Sequence, residues 1–345
     1  MTSLLSASRP RRARRALSNG AALLLALAAL LLLSLVQLGL GARYIDPFTV
    51  CQALIAYDAH NFDHTVIVEL RLLRLIAALL VGAGLGIAGV LLQAVIRNPL
   101  GEPHILGLNA GAALAVVIGS AVGASGSETL LVRPLLAACG AAVLFLCVML
   151  LASAGRSGLT PLKVTLCGVA LSSFASSITA AILILDEQTL LDMRIWLVGD
   201  LAGLSWPILR AAAVPMLPGA LLALYIAPRL NVLALGDIVA SGLGVNIART
   251  RLLGLIAAAL LCGCAVSIAG PIGFIGLVVP HIVRRLFTDD IRMVIPLSAV
   301  IGALLLLIAD IAARTLVAPQ ELATGVMTAL VGAPVFILIA SRLFK

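Results

Sequence analysis

The sequence predicts an all-α integral membrane protein with about ten transmembrane helices, and three observations carry that prediction. Hydrophobic residues fill 62% of the 345 positions and charged residues only 11%, about half the charge that a soluble domain of this size carries. Apolar runs of about 20 residues recur along the whole chain, each long enough to cross a hydrocarbon core roughly 30 Å thick. The charges between the runs then alternate in sign as a threaded membrane protein requires. Mean hydropathy is +1.19, more apolar surface than a soluble core could use.

The expected spans are 21–41, 72–95, 105–123, 132–152, 163–185, 207–227, 252–269, 272–286, 294–316 and 323–341. The first follows the cluster Arg9, Arg11, Arg12, Arg14 and Arg15, which reads as a basic cytoplasmic tail, 1–20, abutting a retained anchor. A cleaved signal peptide has a shorter apolar region, about 7–15 residues. The chain from 21 to 345 reads as a single transmembrane domain. Between the first two spans, 42–71 is a long polar loop. The second span carries Gly82, Gly84, Gly86 and Gly89 and stops at Asn98-Pro99, with Pro103 just beyond. Its glycines match the dinucleotide pattern GxGxxG, but no strand precedes them. In lipid such a stripe lets helices approach closely.

The segment 228–251 is too polar to span. Asp237 followed by Ile238, Val239 and Leu243 suggests a short amphipathic helix flanked by Gly242 and Gly244, suited to docking a soluble partner or serving as a plain connector. Gly270 to Arg285 packs Pro271, Pro280 and several glycines into one apolar stretch. Pro271 fits a first helical turn, whereas Pro280 is expected to kink or break the span. The next span holds Asp310, the one ionisable residue expected deep in the membrane, with Arg314 one turn further on. It is either a functional carboxylate or half of a helix-stabilising pair.

With the N-terminus inside, the cytoplasmic segments hold sixteen of the 23 Lys and Arg, and ten of the 15 acidic residues fall outside. Both termini are therefore expected in the cytoplasm. The +8 net charge belongs to this topology and implies no nucleic-acid partner; membrane lipid is the expected surroundings. The six cysteines read as small buried hydrophobes, with no disulfide or metal site implied. No GxxxxGK[ST], HExxH or GxSxG pattern occurs. The chain therefore brings no recognisable ATPase or hydrolase site, and active transport would draw on a partner chain or an ion gradient.

Several motifs together resemble one family. They are Arg71-Leu-Leu-Arg74, Gly89 to Gln93 running on to Asn98-Pro99-Leu100-Gly101-Glu102-Pro103, Leu106 to Ala112 with Asn109, Gly168 to Leu171, and Trp196 to Asp200. Leu235-Gly236-Asp237 through Ala240 to Leu243-Gly244-Val245 follows, then Gly270 to Arg285 with His281, and Ala309-Asp310 through to Phe336. From about 65 to 342 the chain resembles the FecCD-type permeases, which serve ABC importers of iron-siderophore, haem and cobalamin cargo. That resemblance implies a type II importer architecture in the bacterial inner membrane. Two permeases, identical or paralogous, would flank a central pathway. Two ATP-binding cassette subunits would sit beneath, holding the ATP and magnesium, and a periplasmic or lipid-anchored binding protein would deliver cargo. This chain would bind no cofactor and catalyse no reaction itself.

The resemblance also implies roles for residues. Leu235, Gly236, Asp237, Ala240, Leu243, Gly244 and Val245 would form the segment that couples to the ATPase. Arg71, Arg74 and Arg314 would meet acidic residues of the binding protein, the unspecific alternative being contact with lipid headgroups. Gln93, Asn98, Pro99, Asn109, Gly270, Pro271, Pro280, His281 and Asp310 would lie on the helices that gate the pathway. Two departures from the family pattern stand out: Leu73 where proline is usual, and Ala323-Thr324 where Pro-Val is common. Ferric siderophore is the expected cargo, with cobalamin or haem as alternatives. An ion-coupled carrier and a membrane-embedded enzyme or scaffold are the rivals from other classes.

Overall fold

The structure, a computed structural model, describes residues 19–41, 43–123, 132–154, 159–317 and 320–343. The basic tail lies outside them apart from Asn19 and Gly20, as do Arg156 and Lys345 of the charge count. Every regular element among the described residues is helical. In order they are α1 (Asn19–Gly39), α2 (Pro47–Ile55), α3 (Phe62–Thr65), a π-helical turn (Val66–Arg71), α4 (Leu72–Ile96) and a 3₁₀ turn (Pro103–Leu106). Then follow α5 (Leu108–Ala121), α6 (Val132–Ser153), α7 (Pro161–Leu185), α8 (Glu187–Val198), α9 (Trp206–Leu233) and α10 (Asp237–Gly242). The last are α11 (Ile247–Ala269), α12 (Ile275–Leu286), α13 (Ile291–Thr315) and α14 (Thr324–Leu343).

Among the described residues, seven helices are long and apolar enough to cross a membrane: α1, the run Phe62–Ile96 that ends in α4, α6, α7, α9, α11 and α13. Helices α5, α12 and α14 occupy the three remaining expected spans. Polar caps fix several starts: Asn246 Oδ1 accepts from Arg249 N at 3.0 Å and Asp290 Oδ1 from Arg292 N at 3.0 Å, satisfying first-turn donors. Thr160 does the same ahead of α7, with Pro161 at the first helical position.

Several expectations need correction. Of the six cysteines read as buried, only Cys262 and Cys264 are, and Cys51 and Cys139 are exposed. The polar loop 42–71 is largely helical, and its π turn leads without a break into α4, with Leu73 in the first turn. The link after α9 is shorter than 228–251, since α9 runs to Leu233 and α11 begins at Ile247. Pro271 starts no helix and Pro280 breaks none. Gly270 (φ 70°) and Phe274 (φ 68°) turn the chain through a non-helical link, and α12 begins only at Ile275. Pro280 sits buried inside α12, five residues past its start, where neighbouring helices tolerate a missing backbone donor.

The run Phe62–Ile96 is the centre of the bundle, 78% buried over its most apolar window against 17% for α1. Helix α4 packs on α13, α11, α12 and α9. Its glycine stripe explains how. A Cβ on Gly82 or Gly86 would run into the α13 backbone at Gly302 and Ser298, and one on Gly89 into the Gly276 carbonyl of α12. Without a hydrophobic drive between helices in lipid, such backbone contact supplies the packing energy. Gly89→Ala should therefore destabilise by about 1–3 kcal/mol or more. Gly84→Ala meets the movable end of Met216 instead and should cost less. Thermal unfolding in detergent checks the order; equal midpoints would contradict it.

Candidate functional site

The polar side chains gather at the two ends of α4, which its 25 residues hold about 37 Å apart. At one end stand Arg71, Arg74 and Arg314, all under 9% exposed. Arg71 closes the C-terminus of α1: its Nη1 donates to the carbonyls of Leu38 (2.7 Å) and Gly39 (2.9 Å), and its Nη2 to that of Arg43 (2.5 Å). The Leu38 and Gly39 carbonyls have no intrahelical partner and carry the negative end of the α1 dipole, so a guanidinium suits them. Arg314 Nη1 reaches the Leu40 carbonyl at 3.3 Å.

Asp310, fully buried, joins this end together. Its Oδ1 accepts from Arg74 Nε at 2.7 Å, and its Oδ2 from Gln37 Nε2 at 3.3 Å. Arg314 Nε lies 3.3 Å from Oδ2, the pair expected from i,i+4 spacing. Arg74 extends further, through Nη1 to Glu321 at 2.7 Å and Nη2 to Asp200 at 3.7 Å. The Thr324 hydroxyl sits 3.2 Å from both Asp200 Oδ1 and Asp310 Oδ1 and has one proton to share between them. Two arginines thus face three carboxylates, and Arg71 brings the local charge to zero. Helices α1, α4, α13 and α14 are tied by this cluster.

A cavity of about 350 Å³ opens over the cluster, lined by all three arginines together with Glu69, Leu201 and Glu321 among others. Nη2 of Arg74 and Nη2 of Arg314 are buried and make no hydrogen bond among the described residues. An anion entering the cavity would meet guanidinium groups already held in place by their other N–H bonds.

Near the C-terminal end of α4, Gln93 ties that helix to α12. Its Nε2 donates to Leu277 O at 3.2 Å, and its Oε1 accepts from Arg284 Nη1 at 3.0 Å. Glu102 Oε1 accepts from Phe274 N at 2.9 Å, holding the turn that opens α12. Asn98 closes the end of α4: its Oδ1 accepts from Leu100 N and its carbonyl from Gly101 N, both at 2.9 Å, with Pro99 in that turn. Gly270 packs on the Trp196 carbonyl and Pro271 beside Gly199. Half-buried Asn109 lies near Cys262, with Oδ1 3.9 Å from Sγ, and His281 is half-buried on α12.

At the opposite end, α10 stands out from the bundle. Leu235 (65% exposed), Ile238 (90%) and Leu243 (63%) form an apolar surface, while Ala240 is fully buried beneath. Gly236 (φ 114°) and Gly244 (φ 78°) supply the left-handed backbone on either side, and Val245 N returns to Ala240 O at 3.0 Å. The first residue of α10, Asp237, accepts from Arg251 Nη2 of α11, 3.0 Å from each carboxylate oxygen, and from Arg97 Nη2 at 2.5 Å. Arg97 Nη2 also bonds the Leu233 carbonyl at 2.7 Å. Arg97 itself has left-handed backbone angles (φ 55°, ψ 36°), which cost a side-chain-bearing residue roughly 1–2 kcal/mol. Its pair with Asp237 is 32% and 44% exposed and returns only about 0–1 kcal/mol. Stability alone does not explain an arginine there.

The sequence pattern of the FecCD transport family matches residues 27–342. The chain belongs to that family. The iron(3+)-hydroxamate import system permease protein FhuB of Bacillus subtilis is 42% identical over 306 residues, 89% of this chain and 79% of that protein. The ferric enterobactin transport system permease protein FepD of Escherichia coli is 38% identical over 314 residues, 91% of this chain and 92% of that one. A solved structure of a metal-chelate type ABC transporter in an inward-facing conformation superposes with a TM-score of 0.81 at 29% identity, covering 93% of this chain and 98% of that one.

The FecCD match reaches back from residue 65, where the recognisable motifs begin, to residue 27, so it takes in α1 and the arginine contacts that close it. The FecCD departure at 323–324 acquires a physical meaning: Thr324 starts α14 and places a hydroxyl among buried carboxylates where valine would place a methyl group. Gln37, Arg97, Arg251 and Glu321 are the site residues that the sequence did not single out, and Asp200 and Thr324 stood in its motifs without a role. All act through partners distant in the chain, and no local spacing marks them.

Proposed function

We propose that this chain is the permease subunit of an ATP-binding-cassette importer that carries a ferric-siderophore-type iron complex across the bacterial inner membrane, with both termini in the cytoplasm. The observation that carries this reading is the central helix α4, joined at one end to an arginine-lined cavity and at the other to an exposed apolar helix. The arginine end would face outward and receive acidic side chains of a periplasmic or lipid-anchored binding protein over the cavity that Arg71, Arg74 and Arg314 line. Helix α10 would face the cytoplasm and seat in a groove of an ATPase subunit. Two such subunits would hold ATP and magnesium, and a second permease, identical or paralogous, would complete the pathway. The chain itself would hydrolyse nothing.

Import by alternating access needs contacts that differ between two states. The binding protein's carboxylates would compete with Glu321 and Asp200 for Arg74, and nucleotide-driven closure of the ATPases would displace α10. An ion-coupled carrier fits less well, because Asp310 accepts hydrogen bonds from Arg74, Gln37 and Thr324 and has the Arg314 guanidinium 3.3 Å away, so a second cation would meet positive charge.

The geometry constrains how docking is tested. Reversing both Arg71 and Arg74 to glutamate would strand buried carboxylates, so loss of uptake there would report misfolding. Arg43, whose side chain is 70% exposed at the cavity rim, is the better probe. Arg43→Glu should weaken binding-protein docking severalfold, chiefly through a slower on-rate, with unchanged thermal stability. The function itself is tested in proteoliposomes holding permease, ATPase and binding protein. ATP-dependent accumulation of radiolabelled ferric siderophore, with no accumulation of labelled cobalamin, is expected. Transport by this polypeptide alone, driven by an ion gradient, would refute the proposal.

A further inference from the structure

We propose that Arg97 is a positioning residue that transmits the movement of α10 to the end of α4. The inference rests on the permease reading above and names the contact through which the ATPase stroke would enter the bundle. Arg97 is the first residue after α4, and one nitrogen, Nη2, bonds both Leu233 O at the end of α9 and Asp237 Oδ1 at the start of α10. Asp237 is in turn held by Arg251 of α11. A displacement of α10 therefore pulls on α4 and α11, the two most buried long helices, through one carboxylate.

The backbone supports this assignment. Among the described residues only Arg97 and Phe274 are non-glycine residues with positive φ, and the glycine or asparagine that such a position favours could not reach Asp237. Strained, non-glycine positions persist where the surroundings over-determine them, commonly at moving parts. Directly after Arg97, the turn built on Asn98 and closed by the bonds to Leu100 N and Gly101 N leads to Glu102. Glu102 holds Phe274 N at the start of α12. The stroke thus reaches the non-helical link of α12 by a short, continuous route of bonded groups.

The test uses the complete complex in proteoliposomes, with ATP hydrolysis and uptake of a radiolabelled ferric siderophore measured in the same vesicles. Arg97→Gly suits the left-handed backbone, so the variant should fold and keep its ATPase subunits, with basal hydrolysis close to wild type. Transport per ATP hydrolysed should fall at least about tenfold, the range expected for lost coupling between sites. Arg97→Lys, which restores a cation able to reach Asp237, should recover most of that ratio. The proposal is overturned if Arg97→Gly keeps the wild-type ratio, if Arg97→Lys stays as uncoupled as glycine, or if Arg97→Gly sheds its ATPase subunits, which would make Arg97 a docking or folding residue. A wild-type complex that takes up no ferric siderophore would instead refute the permease reading itself, so the two failures are distinct.

Discussion

Replacing Asp310 with asparagine should destabilise the protein by roughly 3–5 kcal/mol, the cost of breaking a buried ion pair while leaving its partner in place. Arg74 and Arg314 would then stand buried and adjacent without the carboxylate between them, and the nearest remaining acids, Glu321 and Asp200, contact Arg74 alone. Asparagine also brings an NH₂ group into a site already crowded with donors. Asp310→Glu keeps the charge but forces a methylene into a fully buried position, for which about 1–3 kcal/mol is expected. The measurement is the thermal midpoint in detergent, with uptake normalised to folded protein. Asn should lower the midpoint more than Glu, and uptake should fall in step with the amount of folded permease. A well-folded, inactive Asp310→Asn protein would show a titrating or cation-binding carboxylate instead. Removing Arg74 as well as Asp310 should recover little of the loss, since Glu321 and Asp200 would then lose the arginine they contact.

Which of these contacts could be read from the sequence follows from their spacing. Asp310 and Arg314 lie on one helical face four residues apart, and that pair was legible. Arg74, which approaches Asp310 more closely, comes from a helix more than two hundred residues earlier and was not. The glycines of α4 announced close helix packing by composition, but only the fold shows that Gly82 and Gly86 serve α13 while Gly89 serves α12. Charge alternation sorted the span ends into two groups, and the same groups meet in three dimensions: Arg71, Arg74, Arg314 and Glu321 at one end, Arg97, Asp237 and Arg251 at the other. Prolines misled in both directions. Pro280 looked like a kink or break because a proline inside a helix removes a backbone donor and crowds the preceding turn, yet α12 runs on through it, packed among neighbouring helices. Pro271 looked like a helix start because its φ suits one, yet the left-handed Phe274 held by Glu102 sets the real beginning of α12. The short helix within 228–251 was legible from Asp237, the apolar residues after it and the flanking glycines. That its first carboxylate is clamped by two arginines was not, because neither arginine belongs to the helix.

Ile238→Asp should separate folding from coupling more cleanly than any change in the buried clusters. Ile238 is 90% exposed, so its side chain contributes little to packing within the chain, and the variant should unfold at nearly the wild-type temperature. Together with Leu235 and Leu243 it forms an apolar surface on a helix only six residues long, the kind of patch that marks an interaction site when it stands in water. A carboxylate at its centre would have to be desolvated against the partner's apolar groove without a counter-charge. Losing a central anchor of this type costs about 2 kcal/mol or more, close to a thirtyfold weaker complex. Purified Ile238→Asp permease should therefore lose its ATPase subunits on size-exclusion chromatography, and uptake should fall at least tenfold. Ala240→Asp provides the contrast: Ala240 is fully buried under the helix, so a charge there should lower the melting temperature before any partner is added. If Ile238→Asp retains its ATPase subunits and its uptake, the apolar face of α10 is not where hydrolysis is coupled to transport.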